Sequence, residues 1–200
     1  MAVLKARVTD DELVALKMPW QNFLEWKTYL EFVQAYFENR GIAKPIVVEI
    51  GIHTGAQRAH YERFLDAAYL GIDISDALSK PDILGNSHAS ETMGKLKAIL
   101  GARKINLLFI DACHTYADAL AEYDAYGPLV SDIIAFHDVM SHEPLARLWK
   151  DIQNREKTNP HIVFMTIGAW YIEAYRFGIG LVIKRSAMHS MSELPCSGGD

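Results

Sequence analysis

The run Ile105-Asn106-Leu107-Leu108-Phe109-Ile110-Asp111 is the clearest strand in the chain. It is short, almost wholly apolar, and ends in an acid. A run of this kind reads as a strand buried on both faces, which belongs in a parallel sheet covered by helices. Immediately upstream, Glu91 to Leu100 is predicted helical, with Met93, Leu96, Ile99 and Leu100 on one side and Gly101 as the stop. Further upstream lie a weak strand at Asp82 to Leu84, a strand AYLGIDIS from Ala68 to Ser75, and a helix from Gln57 to Ala67. IVVEIG, ending at Gly51, is another buried strand. Before it, Trp20 to Arg40 carries Phe23, Trp26, Leu30, Val33 and Phe37 at helical spacing, followed by Gly41 and Pro45.

Downstream the alternation continues. Tyr116 to Tyr126 is predicted helical, Asp132 to Asp138 is a strand, and Pro144 to Asn154 is a helix with proline in its first turn. His161 to Ile167 and Tyr175 to Lys184 are two closing strands with no helix between them, which predicts an antiparallel hairpin at the sheet edge. The expected fold class is α/β: a three-layer sandwich around a mostly parallel seven-stranded sheet that ends in an antiparallel hairpin.

A chain of 200 residues, half of them hydrophobic and 22% charged, is expected to fold as one domain without disulfides. We divide it into an N-terminal helical segment at 1–44, a ligand-binding domain at 45–185 and a flexible tail at 186–200. The net charge of -5 supplies no dense field of Lys and Arg, which disfavours nucleic acid as a partner. No apolar run approaches the roughly 20 residues of a membrane span, so no membrane partner is expected. The two cysteines, Cys113 and Cys196, form no framework and fit a reducing, cytoplasmic setting. The aromatic stretch from Trp20 to Phe37 could serve as a contact surface, which leaves a homo-oligomer open.

In parallel α/β sheets, ligands bind at the carboxyl ends of the strands. Four of those ends carry an acid: Glu49-Ile50-Gly51, Asp73, Asp111 and His137-Asp138. The loop Gly51-Ile52-His53-Thr54-Gly55 has two glycines four apart, which lacks the middle glycine of a dinucleotide fingerprint. Glu49 before it would repel a pyrophosphate and attract a cationic or amino group. Asp73, 22 residues after Gly51, suits the two hydroxyls of a ribose. Asp111 and Cys113 would face one side if the chain stayed extended. If the strands ending at Asp111 and Asp138 are neighbours, their ends lie about 5 Å apart and could hold a divalent metal. His137 and Asp138 can both be ligands only if the chain turns there. Imidazoles in the set would favour manganese, iron or zinc, and carboxylates with water would favour magnesium. His53 and His60 are expected to be solvated rather than catalytic.

These residues resemble a known family. ExGxxxG from Glu49 to Gly55 is similar to motif I of the class I S-adenosylmethionine-dependent methyltransferases. LLFIDACHTYADALAEYDAYGPLVSDIIAFHDV, ending at Val139, resembles the macrocin O-methyltransferase-like and cephalosporin hydroxylase-like proteins, and LGNSHASETMGKL resembles their GDS-x-x-x-ET segment. The resemblance covers about Pro45 to Lys184 and implies a Rossmann-like fold. It also implies that S-adenosylmethionine sits on Glu49, Gly51, His53 and Gly55 at its methionine end. Asp73 would take the ribose, Ile74 would lie beside the adenine, and Asn86 and Ser87 would be near it, with Asp111 adjoining. Asp111, His137 and Asp138 match metal positions for magnesium or another divalent ion, and His114 matches the family histidine. The implied reaction is O-methyl transfer to a small-molecule acceptor, a sugar or natural product, with Asp111, His114 and Asp138 catalytic. Ala112-Cys113 replaces the family's Gly-Asp, Asn86 replaces an acid and Ser131-Asp132 replaces Gly-Gly. Two alternatives stay open: a metal-dependent oxygenase-like relative, whose iron the histidines and acids near Asp111 and Asp138 could hold, and a non-catalytic S-adenosylmethionine-binding protein, which the first departure keeps open.

Overall fold

A computed structural model describes residues 6–141, 143–165 and 177–184. Seven strands form one sheet in the order β3-β2-β1-β4-β5-β7-β6. They are β1 (Ile46–Ile50), β2 (Ala68–Asp73), β3 (Ile83–Leu84), β4 (Ile105–Ile110), β5 (Val130–Phe136), β6 (His161–Phe164) and β7 (Ile179–Ile183). Pairing is parallel from β3 through β5. β7 is antiparallel to both β5 and β6, as the sequence predicts for the closing pair. The remainders of the two expected closing strands, 166–167 and 175–176, lie outside the described residues, as does the expected tail at 186–200.

Strand alternation sorts the core into two layers. Val48 and Ile50 of β1, Leu108 and Ile110 of β4, and Ile134 and Phe136 of β5 face one apolar cluster. That cluster is completed by α4 (Ser90–Leu100), α5 (Tyr116–Tyr126) and α6 (Glu143–Arg155). Val47, Leu107, Phe109, Ile133 and Ala135 face the other cluster, with α1 (Asp10–Ala15), α2 (Phe23–Asn39) and α3 (Ala56–Leu65). The chain therefore has helices on both faces of a mixed, mostly parallel sheet. No helix among the described residues is long and apolar enough to cross a membrane.

Two sequence expectations need correction. The aromatic helix begins at Phe23, not Trp20, because the Asn22 side chain caps it by accepting from Leu24 N and Glu25 N. Trp20 is left in a strap before the helix. His60 is fully buried rather than solvated. It shares the inner stripe of α3 with Ala56 and Phe64, accepts from the Trp26 indole at 3.0 Å, and lies 3.1 Å from the Lys17 carbonyl through Nε2. Burial lowers its pKa, so the neutral ring links α3, α2 and the strap. The short α1, with Leu13 as its one buried residue, carries too little periodicity to be read from sequence.

Candidate active site

The strand order reverses between β1 and β4, and the carboxyl ends of β1, β2, β4 and β5 converge there. Gly51 leaves β1 at φ +85°. A Cβ on it would stand 2.3 Å from the Asp111 carbonyl oxygen and 2.5 Å from Ala112 Cα. Glycine is therefore required by the approach of the neighbouring strand end. Asp111 N donates to Ile50 O and Gly51 N to Ile72 O, both at 2.9 Å, which ties the three strand ends together.

A cleft of about 570 Å³ opens over these ends. Gly51, His53, Asp73, Ile74, Asn86 and Ser87 line it, together with Asp111, Ala112 and Cys113. Asp73 orders the first loop: its Oδ2 accepts from Ile52 N at 2.9 Å and His53 N at 3.2 Å, while Oδ1 accepts from Ser75 N at 2.9 Å. Ile74 and Leu78 keep 72% and 66% of their surface exposed and both line the cleft, which leaves apolar side chains free for a flat ligand. Among the described residues no Lys or Arg lines the cleft, and four acids do.

Glu49 is not in the cleft. It follows Val47 onto the inner face of β1, is fully buried, and accepts from the Tyr69 hydroxyl at 2.5 Å. Burial pushes its pKa well above the usual carboxylate range, against the Tyr69 bond. The direct attraction of a cationic ligand expected from its sequence position does not fit this geometry. Gly55 likewise shapes the loop, at φ +69°, without lining the cleft.

A second cleft of about 530 Å³ shares His53, Asp111 and Ala112 with the first. Its floor is the acid and histidine cluster, and Trp20, Thr54, Gln57 and Phe177 form other walls. β5 ends at Phe136, and Asp138 then adopts φ +60°, so the chain does turn where the sequence required it. His137 and Asp138 consequently share one site. His137 Nδ1 lies 3.0 Å from Asp111 Oδ1 and 3.4 Å from Asp138 Oδ1. His114 Nε2 lies 3.0 Å from Asp138 Oδ2 and 3.7 Å from Asp111 Oδ1. Ligand atoms of Asp111, His114 and His137 all lie within 4.8 Å of one another. His114 thus joins the expected metal set, with Asp138 touching both histidines.

The carboxylates of Asp111 and Asp138 raise His114 to about 9. Burial pulls His137 down, but the same two carboxylates outweigh it and raise it to about 10. Burial opposes ionisation of Asp138 and Asp111, yet the histidines hold both below the usual carboxylate range. His137 is 5% exposed, and neither of its ring nitrogens makes a well-angled hydrogen bond. A cation among these groups would satisfy them, so the residues fit a divalent metal.

β4 ends at Ile110, so extended alternation stops there, yet Cys113 still lines the first cleft together with Asp111. It is exposed in the first cleft, and its hydrogen bond to Asp118 raises its pKa, which makes it a poor nucleophile. Sequence reasoning missed Leu78, Asp118 and Glu122 in the first cleft and Trp20 and Phe177 in the second. Only the acids had a signal, since Asp118 and Glu122 are one helical turn apart on α5.

No family model matches the sequence, and no protein of curated function does. Solved structures match the fold. MycE methyltransferase from the mycinamycin biosynthetic pathway, in complex with Mg and SAH, is 15% identical, with a TM-score of 0.59 over 90% of this chain. This chain spans 55% of that one. The O-methyltransferase from Bacillus cereus in complex with SAH is 14% identical, with a TM-score of 0.54 over 88% of this chain and 96% of the other. A putative caffeoyl-CoA O-methyltransferase from Staphylococcus aureus is 11% identical, with a TM-score of 0.54 over 86% and 88%. The chain has the Rossmann-like fold of the class I methyltransferases.

Proposed function

We propose that the protein is an S-adenosylmethionine-dependent methyltransferase acting on a hydroxyl of a small molecule, a sugar or natural product, with a divalent cation at the acid and histidine cluster. The observation that carries this reading is the meeting of two clefts at Asp111 and Ala112. One cleft is built for a flat, non-anionic ligand, and the other ends in groups able to hold a cation and move a proton.

Asp73 would hold the ribose through Oδ1, because Oδ2 already accepts two amides. Ile74 and Leu78 would cover the purine, and Asn86 and Ser87 would lie at its edge. The acidic lining suits a ligand that bears a sulfonium and an ammonium and excludes phosphate-bearing dinucleotides. When bound, S-adenosylmethionine supplies an electrophilic methyl group. Asp111, His114 and His137 would hold the divalent ion, which lowers the pKa of an acceptor hydroxyl, with Asp138 beside them. His114 is the most exposed of the four; where the ion sits on Asp111, His137 and Asp138 without it, a neutral His114 would take the acceptor's proton instead. The walls around them restrict the approach of the acceptor and align it.

Two histidines and one carboxylate also form a donor set that binds iron in oxygenases, and this favours one second reading, an iron-dependent oxygenase-like enzyme. Thermal-shift titration with S-adenosylmethionine, SAH and NAD, each with and without magnesium or manganese, tests the primary reading. A ligand at 100 times its Kd stabilises by about 2.7 kcal/mol, a shift of a few degrees. The reading predicts shifts with the adenosyl ligands and none with NAD. Shifts with iron alone, joined to oxygen-dependent turnover, would replace it with the second.

A further inference from the structure

At the end of the first cleft formed by residues 85–88, α5 carries a carboxyl with an unusual environment. Glu122 is 1% exposed, yet it belongs to the cleft lining. Its Oε1 accepts the Ser87 hydroxyl at 2.6 Å. One helical turn further, the Tyr126 hydroxyl donates to the Ser87 carbonyl at 2.8 Å. Two side chains of α5 therefore grip Ser87 at both its side chain and its backbone. The flanking turn is tied as well: Gly85 N donates to Asp73 O at 2.8 Å, and His88 N to Asn86 Oδ1 at 2.9 Å. Asn86, which stands where the resemblance has an acid, has its side chain oxygen turned toward its own loop.

Glu122 Oε2 is closed to solvent and makes no hydrogen bond. Burial raises the pKa of the group. A buried carboxyl with an unmade bond is a poor stabiliser, and an apolar side chain would serve the core better. What this carboxyl does deliver is a fixed position for one residue of the cleft.

We propose that Glu122 is the positioning residue of the purine subsite, holding Ser87 so that the turn at 85–88 meets the ring edge of an adenosyl ligand. This rests on the methyltransferase reading above. Adenine presents an amine donor beside a ring-nitrogen acceptor. Hypoxanthine presents a carbonyl acceptor beside an N–H donor, so the pattern is reversed. A turn held in one geometry separates the two, and a loosened turn does not.

The test is calorimetric titration of the full chain with S-adenosylhomocysteine and with its deaminated analogue, S-inosylhomocysteine. The wild type is expected to bind the adenosyl compound at least tenfold more tightly. Glu122→Ala and Ser87→Ala should each weaken its binding about tenfold and bring the ratio of the two affinities toward one. Glu122 Oε1 also lies 4.0 Å from His88 Nε2, so the double variant should lose no more than Glu122→Ala alone, in which the Ser87 contact is already gone. Glu122→Gln, whose amide oxygen can take the Ser87 hydroxyl, should recover most of the lost affinity and of the ratio. If Glu122→Ala does not fold, Ser87→Ala and Glu122→Gln carry the comparison. An Ala variant that keeps the wild-type ratio overturns the proposal, as does a Gln variant as poor as Ala or a wild type that binds both ligands equally. If the wild type binds neither compound, the methyltransferase reading falls and this inference falls with it. If it binds S-adenosylhomocysteine and the ratio ignores residue 122, this inference falls alone.

Discussion

Replacing Gly51 with alanine should damage the fold and the site together. The residue sits at φ +85°, where an L side chain costs about 1–2 kcal/mol. The added Cβ would meet the Asp111 carbonyl oxygen at 2.3 Å and Ala112 Cα at 2.5 Å, both backbone atoms that no rotamer change can move. Ordinary contact begins at 3.4 Å, so the ends of β1 and β4 must part by about 1 Å. That strains the Asp111 N to Ile50 O and Gly51 N to Ile72 O bonds, each worth about 1 kcal/mol net. Gly51→Ala should therefore cost about 3–4 kcal/mol, which lowers the urea midpoint by about 1 M or more for a chain of this size. Asp111 moves with its backbone, and a displacement of about 1 Å at a reacting centre costs about 100-fold in rate. Gly55→Ala is the control. It also has positive φ, at +69°, but its Cβ would meet only the Ser79 side chain at 3.2 Å, so about 1–2 kcal/mol is expected. Equilibrium urea unfolding of both variants decides the matter. Equal losses in the two, or a Gly51→Ala protein within about 1 kcal/mol of wild type, would show that the glycine does not serve strand approach.

Glu49→Gln should change the pH dependence of stability. Because the folded protein raises this acid's pKa, it binds the proton more tightly than the unfolded chain does. The stability this contributes is full below the unfolded value of 4.5 and is lost as pH rises toward the folded one. Glutamine removes that loss, so the variant should gain on wild type between pH 5 and pH 8 in urea midpoints; parallel profiles would contradict the assignment. Asp111→Asn should keep the fold while abolishing turnover and any thermal shift with magnesium or manganese. A variant that retains either would remove the metal from the cluster built on Asp111.

The strand ends were legible because each is a local pattern: an apolar run, an acid, then a turn. What those ends touch was not, because it is set by neighbours distant in sequence. Glu49 reads as a ligand group from its place before a glycine loop, but its alternation with Val47 turns it inward, where Tyr69 of β2 receives it. His60 could have been recognised from its i, i+4 spacing with Ala56 and Phe64, which places it on the inner stripe of α3. The turn at Asp138 had no such signal. It is held by β7 and the residues before it, through Val139 N to Gly178 O at 3.2 Å and Met140 N to Phe177 O at 3.0 Å. Those partners come from some 40 positions later in the chain, and they bring Phe177 over His137, with ring centroids 5.4 Å apart. The loop glycine makes the same point from the other side. Gly51 reads as a place for a ligand to approach, but the nearest claimant is the end of β4. By letting that end close in, Gly51 brings Asp111 to the line where the two clefts meet. The residue therefore serves the ligand site through the sheet, and a change there should be felt in stability and at the site together.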